Sequence, residues 1–284
     1  MVAYSFIASV LGLAALTSAS DSPTYTGWTR VWQDTFAGQG STLPNENNWN
    51  IINAKLNVNN ELETYKRSTR NVQLSGGNTL QLVPWNDNGD WSSGRIESKY
   101  TFTPTDKKIT RVESSIRFGG NAQKNKQGIW PAFWMLGDSI RHGTSWPACG
   151  ELDIMEVING QLTGHGTMHC DRYPGGICNE GNGIGSAVSM PNQDWHTWRI
   201  EIDRRNSDWK QQSITWYFDG KSYQTITGSR INNQGVWNSV AHSSLFIIFN
   251  VAVGGGWPGN PNADTLDGYG AMLEASYAAH YVSN

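Results

Sequence analysis

An all-β sandwich of many short strands is the fold class the sequence predicts, and three observations carry that expectation. Apolar and polar residues alternate through short runs split by Gly, Asn, Asp and Pro, the period of half-buried strands. No amphipathic stretch of ten or more residues follows the helical period. The composition, with 14 Trp, 31 Gly and 10 Tyr, suits strands that offer flat aromatic faces between tight turns. Strands of this kind bury one face each, so two packed sheets are the simplest arrangement.

The chain opens on MVAYSFIASVLGLAALTSAS, with no charge before Asp21, an apolar stretch from Ile7 to Leu16 and small residues at 17–20. This pattern predicts a secretory signal peptide over residues 1–20, too short in its apolar part to span a bilayer. Residues 21–284 then read as one domain that is secreted, soluble and monomeric. Strands are expected at 79–83, 111–118, 197–203 and 213–218. In HTWRIEID, Trp198, Ile200 and Ile202 face one way and Arg199, Glu201 and Asp203 the other, the mark of a strand with one wet face. Asp219-Gly220 after SITWYF is the signal of a tight hairpin turn. SLFIIFNVAV, at 244–253, is almost continuously apolar and predicts a central strand covered on both faces.

Net charge is −3 and charged residues are 16% of the chain, below the ~25% usual for soluble domains. The chain therefore lacks the electrostatic footprint of a partner for nucleic acid or anionic membranes, and a neutral partner is expected. Of the three cysteines, Cys170 and Cys178 bound the loop CDRYPGGIC and form a disulfide candidate. Cys149 is left as a buried thiol, with no context that would activate a thiolate.

The most informative stretch is GELDIMEV, residues 150–157, where Glu151, Asp153 and Glu156 sit among apolar residues. In a regular strand Glu151 and Asp153 share a face and Glu156 points the opposite way, into the core. A buried unpaired carboxylate is costly. One extra residue bulging near Ile154 or Met155 would return Glu156 to the face of the other two acids. Two carboxyls flanking a bond, with a third acid between them, are the machinery of glycoside hydrolysis: one is the nucleophile, the other donates and later accepts a proton. Asp153, by sharing a proton or hydrogen bond with Glu151, would keep that nucleophile charged, while nearby negative charge keeps Glu156 protonated. A solvated acidic strand is the bland alternative. No His or Cys spacing around the motif fits a metal ligand set.

ELDIME resembles the E-x-D-x-x-E signature of glycoside hydrolase family 16 in its bulged, laminarinase-like form. Further segments match in order: NNELETY at 59–65, SSGRIES at 92–98, GIWPAFWML at 128–136, DWHTWRIEI at 194–202 and NVAVGGGWPG at 250–259. The resemblance implies a concanavalin A-like β-jelly-roll of two curved antiparallel sheets with a substrate groove on the concave face. It also implies retaining hydrolysis of β-linked glycan, with Glu151 as nucleophile, Asp153 as assisting acid and Glu156 as general acid/base. Carried over in the same way, the groove is lined by Asn60 and Glu61 at a polar rim, Arg95 as a donor to sugar hydroxyls, and Trp130 and Trp134 as stacking platforms. His169 falls on the leaving-group side, and Asn250 and Trp257 follow on the last matching segment.

Each of these residues has a structural alternative: core packing for the tryptophans, a surface ion pair with Glu97 for Arg95, ordinary hydrogen bonding for His169. Trp130 and Trp134, four apart, share one strand face, with Phe133 and Met135 on the other. Two departures from the family pattern stand out. Ser276 occupies the position of an Asp that helps hold a structural calcium in relatives, which puts calcium in doubt, and no cofactor is expected. The insert HCDRYPGGICNEGNGIG reshapes the leaving-group end. The expected activity is that of a fungal-type, secreted endo-β-1,3-glycanase acting on β-1,3-glucan of the laminarin kind. An endo-β-1,3-galactanase, a transglycosylase and a non-catalytic, lectin-like glycan-binding module remain the alternatives.

Overall fold

Alternating runs pair into two antiparallel sheets in the computed structural model, which describes residues 21–284. The signal peptide expected over residues 1–20 lies outside the described residues. One sheet has seven strands in the spatial order Ile184–Ser189, Thr163–His169, Glu151–Glu156, Ile129–Gly137, Leu245–Val253, Arg95–Phe102 and Trp49–Ile51. The other is built around Ile109–Phe118, flanked by His196–Asp203 and by the long C-terminal strand Leu273–Ser283. A small third sheet joins Thr64–Tyr65, Asp90–Ser93 and Trp85–Asp87. Among the described residues no helix is long and apolar enough to cross a membrane.

The strands form where alternation demands them. Trp198, Ile200 and Ile202 are buried and their polar alternates half-buried. The strand Ser213–Phe218 has the expected bounds, and the turn after it places Asp219 and Gly220 at φ 45° and 76°, the mirror-image turn whose twist suits a hairpin. Every residue of Leu245–Val253 is buried, because one face joins the inter-sheet core and the other meets a second cluster of Leu136, Cys149, Phe246 and Ile248. Trp49, Trp198, Trp216 and Trp237 are completely buried in the core, so part of the tryptophan wealth is structural.

The bulge lies where the phase of the acids requires it. Trp134 pairs with Asp153 and Ala132 with Glu156, while only Phe133 stands opposite Ile154 and Met155. On the other side Asp153 pairs with Thr167 and Glu156 with His165, leaving Gly166 alone opposite the same two residues. Ile154 and Met155 both turn into the core and are fully buried. A bulge breaks ladder hydrogen bonds, and a buried orphan carbonyl costs ~1–3 kcal/mol. Here the opposite sheet supplies donors: Trp216 Nε1 donates to the Asp153 carbonyl at 2.7 Å and the Tyr223 hydroxyl to that of Ile154 at 3.5 Å.

Candidate active site

With the extra residue absorbed, Glu151, Asp153 and Glu156 emerge on one sheet face beside Trp130, Ala132, Trp134 and Leu136 of the neighbouring strand. They floor the junction of two adjoining cavities that form one groove. On one side the walls include Glu61, Tyr65, Arg95, Trp134, Trp146 and Asn250. On the other they include Asn60, His165, His169, Asn182 and Trp257. Trp130 and the three acids belong to both. Each catalytic and substrate-binding candidate from the sequence thus lines the groove.

The walls are held by specific contacts. Trp134 Nε1 donates to Asn250 Oδ1 at 2.7 Å, and the Asn250 amide donates to the Tyr65 hydroxyl at 3.2 Å. Arg95 pairs with Glu97 at 2.7 Å, and its guanidinium lies 4.9 Å from the Trp134 ring centroid. The ion pair is there, but it is not a surface one: both side chains are largely buried, so Arg95 reaches the groove as a fixed planar donor. Trp130 and Trp257 meet edge to face at 5.5 Å. Gly255, at φ 113°, lets the backbone pass the Trp130 ring, since a Cβ there would sit 3.3 Å from it. Glu61 is pushed up to about 8 by burial and by the charge of Glu63.

The acids divide into two electrostatic environments. Glu156 Oε1 accepts a hydrogen bond from Trp130 Nε1 at 3.0 Å. Burial, then the charge of Asp153, holds the Glu156 carboxyl well above the usual carboxylate range. Burial, then the charge of Asp153, also raises Glu151, to about 8, with Glu180 adding to the rise and His169 and Arg95 opposing it. Among the described residues the expected hydrogen bond between Asp153 and Glu151 is absent, and Asp153 Oδ2 finds no hydrogen-bond partner. His169 Nε2 faces both acids instead, 3.4 Å from Asp153 Oδ2 and 3.9 Å from Glu151 Oε1. His169 Nε2 thus stands where a shared proton was expected, and positive charge there favours the ionised form of Glu151.

His169 itself shows what sequence reasoning missed. Its Nδ1 donates to Glu180 Oε2 at 2.7 Å, so the ring is engaged with carboxylates on both nitrogens. Glu180 lies in the insert, two residues beyond the cysteine-bounded loop, and its only sequence signal is its place just after Cys178. The disulfide Cys170–Cys178 is formed, with Cα atoms 5.4 Å apart. Cys149 is a buried free thiol whose pKa is pushed up to about 12 by burial and by Glu151, so it is no nucleophile. Among the described residues Glu151, Asp153 and His169 bring three donor atoms within 4.8 Å of one another. Ser276 lies far along the other sheet, donating to the Ser115 carbonyl at 3.4 Å.

Comparison with known proteins agrees with this geometry. A family model described as Glycosyl hydrolases family 16 matches residues 45–274. A beta-glucanase from Rhodothermus marinus is 28% identical over 97% of this chain and 93% of its own length. A glucan endo-1,3-beta-glucosidase A1 from Niallia circulans is also 28% identical over 91% of this chain, which spans only 38% of that longer protein. Among solved structures, an endo-1,3-beta-glucanase from Streptomyces sioyaensis superimposes with a TM-score of 0.87 at 34% identity, covering 93% of this chain and 100% of that one. These sources do not bear out the fungal type expected from the sequence.

Proposed function

The chain belongs to glycosyl hydrolases family 16, and we propose that it is a secreted, retaining endo-β-1,3-glucanase acting on glucan of the laminarin kind. The observation that carries this reading is the bulged strand, which sets Glu151, Asp153 and Glu156 on one groove face between tryptophan walls. The Glu151 carboxylate attacks the anomeric carbon while Glu156 gives its proton to the departing glycosidic oxygen, breaking the C–O bond. Glu156, now a base, takes a proton from water, and the resulting attack on the anomeric carbon releases Glu151 with the configuration retained. Trp130, Trp134 and Trp257 offer apolar faces to sugar rings, and Arg95, Asn60, Glu61 and Asn250 offer polar groups to hydroxyls. The disulfide supports an oxidising, extracellular location. The chemistry draws on carboxyls and needs no cofactor.

Substituting Glu156 by alanine tests the assignment. A sugar leaving group needs protonation and a dinitrophenolate does not, so polysaccharide cleavage should fall by ~10²-fold or more while glycosyl-enzyme formation from an activated aryl β-glycoside survives. Azide, which needs no base, should release that intermediate as a β-glycosyl azide. An α-azide, or equal loss on both substrates without rescue, would remove Glu156 from this role. Product chromatography on laminarin, mixed-linkage glucan and de-arabinosylated arabinogalactan fixes the substrate, and cleavage of the galactan alone would overturn the glucan assignment.

A further inference from the structure

Glu180 is a carboxylate whose side chain has no exposed area, yet it faces no Arg or Lys. Its Oε1 accepts from the backbone N–H of Cys170 at 2.8 Å and its Oε2 from His169 Nδ1 at 2.7 Å. Its own backbone exchanges two hydrogen bonds with Gly175, which closes the loop that the Cys170–Cys178 disulfide ties at its base. The far ring nitrogen of His169 meets Asp153 and Glu151. The insert also packs tightly on the imidazole, since a Cβ on Gly183 would come within 2.8 Å of it, and from the segment before the acidic strand the Trp146 ring lies 5.6 Å from it, centroid to centroid.

A neutral imidazole donates from one nitrogen and accepts at the other; only the imidazolium donates from both. Facing acceptors on both sides, His169 is satisfied only as a cation. The charged groups acting on it are Glu151 and Asp153 of the acidic strand, with Glu156 further along, and Glu180 from the loop. We propose that Glu180 is a positioning residue: fixed by the disulfide loop, it holds His169 as a lasting cation against Asp153 and Glu151, so that of the two glutamates Glu151 ionises first while Glu156 keeps its proton. This rests on the catalytic roles proposed above. Burial alone would drive the imidazole towards neutrality, but the adjacent carboxylates of Asp153 and Glu151 and the hydrogen bond that Glu180 accepts outweigh it and raise its pKa to about 11.

The test is Glu180→Gln in the full chain, read by the pH dependence of kcat/KM on laminarin and by the ¹⁵N shifts of the His169 ring. The amide must place its NH₂ towards one of two donors, so the ring should revert to an ordinary titration near ~6.5. About one ring in thirty would then remain charged near pH 8, so the loss relative to wild type should deepen by about 30-fold between roughly pH 5 and 8. A residue that only braces the loop would lower activity evenly across that range, and a pH-independent ratio with a ring that stays protonated overturns the proposal. Should this variant not fold, Cys178→Ser read in the same way decides, since untying the loop must make the ring titratable. The ring shifts need no substrate, so they judge Glu180 even if wild-type protein proves not to cut laminarin, which would instead sink the functional reading.

Discussion

Gly166 is where the catalytic bulge can be attacked without touching an acid. It stands alone opposite Ile154 and Met155, and a Cβ there would lie 2.4 Å from the Tyr223 hydroxyl and 2.5 Å from Trp216 Cδ1, where ordinary contact starts near 3.4 Å. In Gly166→Ala something must therefore move by about 1 Å. Tyr223 is only partly buried and can swing, but Trp216 is fully buried. Overpacking of this sort costs ~1–3 kcal/mol, and weakening the Trp216 bond to the Asp153 carbonyl adds ~1 kcal/mol, so a stability loss of about 2–4 kcal/mol is expected. Because that carbonyl belongs to the middle acid, a shift of ~1 Å in the strand should also lower turnover on laminarin by ~10²-fold. Urea unfolding and kcat measured on the same preparation check both numbers. Wild-type stability with wild-type turnover would refute the packing argument, and lost stability with full turnover would show that the acids are placed independently of the inter-sheet bonds.

The remaining expectations concern protonation. His280 is buried, its Nδ1 accepting from the Tyr100 hydroxyl at 3.0 Å and its Nε2 unpartnered, and burial depresses its pKa to about 4. A base held neutral in the fold binds protons more readily when unfolded, so its contribution is intact above ~6.5 and is lost as pH falls towards about 4, to a limit of ~3.4 kcal/mol. His280→Gln, which keeps an acceptor for Tyr100, should therefore lose ~2–3 kcal/mol less than wild type between about pH 7.5 and 4.5 in urea unfolding, and parallel losses would contradict this. Trp130→Phe removes the N–H that favours the Glu156 carboxylate. The basic limb of the kcat–pH profile on laminarin should then move to higher pH; a limb that stays or moves down would show that the indole does not tune the acid.

What could be read from the sequence was whatever repeats locally. The alternation of HTWRIEID gave its strand to within a residue, since the observed span is His196–Asp203, and the Asp-Gly pair gave the hairpin turn. The phase conflict between Glu151 and Glu156 located the bulge, because a period of two leaves no other way to bring both acids to one face. Short strands such as Trp49–Ile51 and Thr64–Tyr65 carry too few residues to show a period. Contacts across the sandwich were illegible for a different reason: nothing local ties Trp216 to Asp153, 63 positions away, or marks Gly166 as the gap that admits the indole. Glu180 was invisible because a loop acid is ordinarily solvated, and only the disulfide-closed fold buries it.

The partition of protons in the groove follows from what each end of the acidic strand meets. Around Glu151 stand two cations, His169 at 3.9 Å and Arg95 across the groove wall, and both favour its ionised form. Glu156 is bonded to a neutral indole, and His169 is the cation that offsets its burial. A neutral N–H donor of that kind stabilises a carboxylate by less than a full positive charge does, because it carries only a fractional charge. Asp153, between them, repels a second negative charge on either neighbour. Of the two glutamates, the one that holds its proton more firmly is the end least served by cations, which is Glu156. The acid that must give a proton and the acid that must attack without one are thus distinguished by their surroundings although they lie five residues apart on a single strand.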